Sequence, residues 1–463
     1  MSKSTLKSYL ADATTSLGLE EFTDGEQKLD VIVSSEPSVD QVVTEMVEAK
    51  IVQDEISRDC DALVEAQCAM ESYAALLSAA TSEGGIDGHS AAFLRVGLER
   101  YEDLFGLSEP LTPSVEAFGG SASKQHATTV SLEKLSETLK KGWEIIKKAL
   151  AALWNALKDV YAKATGAATR LERRAKELEV KAAKLIGTDA PDAKITIRGA
   201  SKLFADGENL AGDIKPIAGF VAFANKVYPE TILRYVADVA GAVGSYDPAR
   251  GKDAAFTGLT SKILSIGDVV ARFSEFKAAS ASDRRFGRDV YVVRSEVLPG
   301  NQALYISAPQ RDGASMEEKI RKLGGSLNAQ MLVDTGAKAA PESVEVEVKG
   351  PAQLKNTAAE IARTAAAVVR GADNADKVKK AVDELIKAGD ALKERADKAE
   401  LSSEHQQQVD AVLRGLVSVQ KLLGTSINGM LSYSVSALNV QLAVVERQLA
   451  AYPSSESKAV VPA

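Results

Sequence analysis

Apolar side chains recur every three or four residues over long stretches of the chain, and that period predicts its main elements. The clearest stripe is Leu132, Leu135, Leu139, Trp143, Ile146, Leu150, Leu153, Leu157 and Tyr161, which predicts an amphipathic helix from about residue 131. Thr129 or Ser131 can cap its start and Gly166 is expected to break it, with RLERRAKELEVKAAKLIG as a second helix ended by Gly187. Upstream, Val42, Met46, Ile51, Ile56, Leu63, Cys68, Met70 and Leu76 predict a helix between Val39 and Ala80. SEGGIDGHS interrupts it, and a shorter helix follows over about Ser90 to Asp103. From about Leu354 to Tyr452 the helical pattern returns, rich in Ala and well charged.

In the middle of the chain the period drops to two. KITIRG at 194–199 and SVEVEVKG at 343–350 alternate as half-buried strands do, and DVYVVRSEVLPGNQALYISAP reads as two strands around a Pro-Gly turn at 299–300. The expected fold class is α+β, predominantly helical, with a small antiparallel or mixed sheet in the middle region. FGLSEPLTPSVEAFGGSASKQHATT, at 105–129, holds three glycines and two prolines without a sustained period, which predicts a linker or functional loop. The expected division is an acidic helical segment 1–116 and a flexible linker 117–130. Basic amphipathic helices at 131–187, an α+β region at 188–350, a helical region at 351–452 and a flexible tail at 453–463 follow. Residues 1 to about 37 read as loosely structured, and no repeat period indicates a solenoid.

Composition narrows the class without changing the architecture. The chain is 45% hydrophobic and 26% charged, ordinary for a globular protein, while only 5% aromatic, which favours helices packed through small and aliphatic side chains. Leu422 to Val445 is uncharged, yet Thr425, Ser426, Asn428, Ser432, Ser434, Ser436, Asn439 and Gln441 would be expensive in lipid, so a buried helix is expected rather than stable transmembrane insertion. MSKSTLKSYLADATTS lacks an apolar core of signal-peptide length, and no export address is expected. Cys60 and Cys68 lie about 12 Å apart along a helix axis, too far for a bridge, which fits a reducing cytoplasm.

Charge changes the picture. Residues 1–116 hold 23 Asp and Glu against 7 Lys and Arg, a net of −16. Since the whole chain has 64 acidic and 56 basic residues and a net of −8, residues 117–463 carry +8. The excess is densest at 131–186, where 13 Lys and Arg face 7 acids. A positive helical arm attracts polyanions, and the candidate contacts are Lys140, Lys141, Lys147, Lys148, Lys158, Arg170, Arg173 and Arg174. The acidic part is placed to mask the basic part until the two are separated.

Catalytic chemistry has no comparable signal. His89, His126 and His405 stand in unrelated neighbourhoods, neither cysteine forms a zinc pattern, and GSYDPARGKD at 244–253 fails the P-loop spacing. No catalytic residue, metal site or cofactor is therefore expected.

The sign of the chain changes at PSVEAFGG, residues 113–120. Ser114, Val115 and Glu116, followed by Ala117, resemble the maturation sites of internal head proteins from large tailed bacteriophages of the giant myovirus type. The acidic helical leader, the AFGG step and the basic helix opened by ATTVSLEKLSETLKKGW are similar to that family too, over about residues 60–185. The resemblance implies a prohead protease that cuts after Glu116 and releases residues 1–116 as a propeptide before DNA fills the capsid. It also implies capsid or scaffold proteins as partners, double-stranded DNA as a non-specific one, host cytoplasm before assembly and the capsid interior afterwards. Pro113, Gly119 and Gly120 suit such a site because they disfavour stable helix. Ser-x-Glu also ends at Glu36, Glu133, Glu317, Glu345, Glu404 and Glu456. Of these, Glu36 and Glu456 fall in flexible polar stretches and are the possible secondary cuts, whereas Glu133 and Glu404 fall at expected helix starts and Glu345 in an expected strand. Two other readings stand beside this one: a membrane-acting effector using the helix after Thr129, and an enzyme with an unrecognised site in the α+β region.

Overall fold

A computed structural model describes residues 39–105, 107, 109–250, 253–271, 273, 277–278, 285–286, 290–309, 327–399 and 401–453. The acidic segment supplies helices α1 (Val39–Ser82) and α2 (Gly88–Phe105). A 3₁₀ turn over Val115–Phe118 then leads into α3 (Ser121–Lys140) and α4 (Gly142–Lys184).

Two expectations about this stretch are corrected. Residues 121–130, expected as part of a flexible linker, are the first turns of α3. Tertiary contact makes them helical: Ala127 is buried against Phe118 and Ala91, and the Thr128 hydroxyl accepts the Ile86 N–H at 3.0 Å while donating to the Lys124 carbonyl at 2.7 Å. Gly166, expected as a break, lies inside the continuous α4. One helical glycine costs only about 1 kcal/mol, and Tyr161, Ala164, Ala167, Ala168 and Leu171 carry the buried stripe across it.

The stripe instead changes partners at Lys141. Leu132, Leu135 and Leu139 of α3 pack with Met70, Leu77, Leu94 and Leu98 of α1 and α2. Trp143, Ile146, Leu150 and the residues beyond belong to the main core. Gly142 allows the junction, since a Cβ there would lie 2.4 Å from Gln67 Nε2.

Among the described residues the middle of the chain holds three antiparallel sheets. β1 (Lys194–Arg198) is followed by the hairpin β2 (Phe204–Ala205) and β3 (Glu208–Asn209), whose turn residues Asp206 and Gly207 have φ of 48° and 86°, the left-handed pair that a tight hairpin needs. Helices α5 (Lys215–Ala222), α6 (Tyr228–Ser245), α7 (Asp253–Leu264) and α8 (Ile266–Ala271) come next. They lead to β4 (Lys277–Ala278), β5 (Val290–Arg294), β6 (Gln302–Pro309) and β7 (Asn328–Val333), which pair in sequence order. β8 (Ser343–Glu347) returns to β1, with Lys194 opposite Glu347 and Arg198 opposite Ser343. The fold is therefore α+β with helix dominant, as expected, and its pairing is antiparallel in separate small sheets where the pattern implied one sheet, antiparallel or mixed.

Helices α9 (Pro351–Gly371), α10 (Asn374–Lys398) and α11 (Ser403–Ala450) complete the core, with α4 packed on α9, α11 and α1. Ser426, Asn428, Ser434 and Gln441 of the 422–445 run are buried in α11. Ser426 accepts from the Tyr228 hydroxyl at 2.7 Å, and Gln441 donates to the Leu210 carbonyl at 2.8 Å while accepting the Gly212 N–H at 2.7 Å. Seven residues further on, Gln448 accepts the Lys349 N–H at 2.9 Å. Among the described residues no helix is long and apolar enough to cross a membrane.

Candidate maturation site and basic surface

The Pro113–Gly120 stretch is ordered at both ends. Leu111 and Thr112 are buried, and the Leu111 N–H donates to Glu102 Oε1 at 2.7 Å. Ser114 is extended (φ −58°, ψ 147°) and starts the 3₁₀ turn, in which Ser114 and Glu116 are exposed, Val115 and Ala117 are half-buried, and Phe118 is buried with Ala91 and Ala127. Both halves of the Glu116–Ala117 peptide are occupied: the Ala117 N–H donates to the Ser114 carbonyl at 3.0 Å, and the Glu116 carbonyl accepts the Gly119 N–H at 3.2 Å. The Ala117 carbonyl also accepts from the Ser123 hydroxyl. A protease reads an extended backbone, so it needs this single turn to open. The two bonds within the turn contribute about 1 kcal/mol each, and Phe118 is the heavier restraint.

The other Ser-x-Glu triplets lie in regular elements or outside the described residues. Glu133 is in the interior of α3 rather than at a helix start, Glu404 is in the first turn of α11, and Glu345 is in β8 opposite Thr196 of β1. Glu36, Glu317 and Glu456 lie outside the described residues.

The eight basic residues do not form one face. Lys140, Lys141, Lys148, Lys158 and Arg173 are exposed. Lys147 is half-buried between Glu144 (2.8 Å) and Asp390 (3.0 Å), whose hydrogen bonds outweigh desolvation and raise its pKa. Arg174 is paired through both guanidinium arms to Glu446, one contact at 2.8 Å, and Arg170 is half-buried with an interaction of its own. Lys140 lines a groove of about 660 Å³ with Glu71 and Ala75 of α1, Lys393 and Asp397 of α10, and Asp410 of α11. The apolar stripe that a membrane reading requires is core: Leu150 is fully buried, and Trp143 donates to Asp390 Oδ1 at 2.8 Å with its ring against Gly389.

In the folded chain, acids of α1 also pair with cations that periodicity did not single out. Arg414 and Lys421 of α11 are 4% exposed as residues, and each meets an acid of α1: Arg414 pairs with Glu71, and Lys421 with Asp61 at 2.5 Å. Burial raises the Asp61 pKa against the opposing pull of Lys421. Asp410, one turn before Arg414, is likewise raised by burial, opposed by Gln406 hydrogen bonds and by the charges of Arg414 and Lys393. Burial also pushes the Cys60 thiol up to about 12, which leaves it inert. The readable signal was a cation or amide every seventh residue, Arg414, Lys421 and Asn428, in a stretch that holds no other charge.

Among the described residues no group of three or more His, Cys, Asp or Glu could hold a metal ion. A cleft of about 760 Å³ between the β2–β3 hairpin, α5 and β5 brings Asp206, Glu208, Lys215 and Glu296 to one surface, and its Arg294 is engaged with Asp334 at 3.3 Å.

The family model of phiKZ-like phage internal head proteins matches residues 38–447. The chain belongs to that family. The match extends well beyond the 60–185 stretch that carried the resemblance, and it spans the Glu116–Ala117 turn, so α1 and α2 fall within the region the family shares. No curated protein and no solved structure matches the chain. Membership places this internal head protein inside the phage capsid.

Proposed function

We propose that this internal head protein is a non-enzymatic component packaged in the prohead as a folded precursor. The prohead protease cuts it after Glu116, and the basic part from Ala117 onward associates with packaged DNA or the capsid interior. The observation that carries this reading is the coincidence of three features at one turn: an exposed Ser114 and Glu116, a flanking Gly119-Gly120 pair, and the change of charge from −16 to +8. The protease would grip Ser114 to Ala117 once the turn opens, with the small Ser114 side chain and the Glu116 carboxylate as the features it reads. Exposed Lys140, Lys141, Lys148, Lys158 and Arg173 suit sequence-independent phosphate contacts, which weaken steeply with salt. Mass and N-terminal peptide mapping of the protein from assembled particles tests the cut: a chain beginning at Ala117 supports it, and one beginning at Met1 or Ser2 contradicts it.

A further inference from the structure

Hydrolysis at Glu116 removes no contact between α1 and the rest of the molecule. Ile56, Cys60, Leu63 and Val64 of α1 sit in the main core shared with α4 and α11. Beside them runs a row of three polar pairs. Arg414, Lys421 and Asn428, spaced seven residues apart on α11, meet Glu71, Asp61 and Gln53 of α1, taken in reverse order. Seven residues advance a helix by about 10.5 Å, nearly two turns, so the three α11 residues fall on one face, and the reversed order of their partners, ten and eight residues apart on α1, makes the pairing antiparallel.

The groove is notched for α1. A Cβ at Gly142 would lie 2.4 Å from Gln67 Nε2, and one at Gly424 would lie 3.3 Å from Gln53 Nε2. Gln53, Ser57 and Gln67 are buried there, and Gln53 Nε2 has no hydrogen-bond partner among the described residues. Buried amides and ion pairs give a helix interface its register and partner choice more than its stability.

We propose that the α4–α11 groove is a receptor for an acidic helix, and that the severed prefix containing α1 stays in it as a separate chain, read by Arg414 and Lys421. This rests on the cut after Glu116. The acidic prefix then becomes a bound ligand of the basic remainder, and its departure is a step separate from hydrolysis.

The test uses the full chain with a site-specific protease sequence inserted between Glu116 and Ala117, nicked after purification and followed by gel filtration and native mass spectrometry. In about 0.15 M salt, where screening reaches about 8 Å and buried pairs are little affected, the two pieces are expected to travel together, with a dissociation constant below about 1 µM. Lys421→Gln is expected to weaken retention about 10-fold, because it leaves the half-buried Asp61 without its cation. The swap Asp61→Lys with Lys421→Asp is expected to restore retention, which separates loss of the pair from a folding defect. Prompt separation of the unaltered pieces overturns the proposal, and so does retention unaffected by Lys421→Gln. The inserted site works whether or not the phage protease uses Glu116, so failure here is distinct from failure of the maturation reading.

Discussion

Phe118 controls how readily the Glu116–Ala117 bond can be presented. Its ring is buried in the small cluster of Ala91 and Ala127, two residues past the carbonyl that must be attacked. Phe118→Ala removes about 3 kcal/mol of local packing, which raises the open population of the turn roughly 100-fold and, where opening is fast, the cleavage rate with it. Limited digestion by a Glu-specific protease should show faster cutting at Glu116 and unchanged cutting elsewhere. Asp410 gives a second residue-scale prediction. Its folded pKa is raised above 3.8, so the ionised form is disfavoured by folding, and stability falls as pH rises from 3.8 through the raised value. Asp410→Asn should therefore stabilise the chain against denaturant at about pH 7, with the gain vanishing as pH falls below the unfolded value. Arg414, Lys393, Asp397 and Gln406 face this carboxyl, and none is altered by that substitution.

At the scale of elements, α4 and its neighbours were legible because one stripe of large apolar residues repeats every three or four positions. The alternating runs likewise revealed β1 and β8, and the Pro-Gly turn at 299–300 marked β5 and β6 on either side. The ends of elements were not legible, because contacts distant in sequence decide them: Ala127 and Thr128 extend α3 upstream through Phe118 and Ile86, and Tyr161 to Leu171 carry α4 past Gly166. The hairpin at Asp206-Gly207 had a readable turn signal, but its strands of two residues each were too short to show alternation. The turn at Glu116 could be found from charge and triplet, yet its hydrogen bonds and the Phe118 anchor could not. The α1–α11 pairs needed the fold, since Asp61 and Lys421 are 360 positions apart. Close approach at α10 supplies an element-scale test. A Cβ at Gly389 would lie 2.3 Å from the Trp143 ring, and Gly389→Ala should cost about 1–3 kcal/mol, accompanied by altered Trp143 fluorescence in the folded state.

At the scale of the whole molecule, the change of sign depends on where the acidic prefix goes as well as on the cut. With the prefix bound, the particle keeps the full −8; once it leaves, the remainder carries +8. Double-stranded DNA should therefore bind the separated remainder far better than the intact chain, with affinity falling as a power of salt concentration. Lys148→Gln with Lys158→Gln, both exposed on α4, should reduce the magnitude of that slope by about 2 without regard to DNA sequence. Both expectations depend on hydrolysis at one turn inside a capsid. Peptide mapping of the chain termini in assembled particles therefore tests the account most directly. The account predicts a large chain starting at Ala117; a large chain starting at Met1 or Ser2, uncut at Glu116, would contradict it.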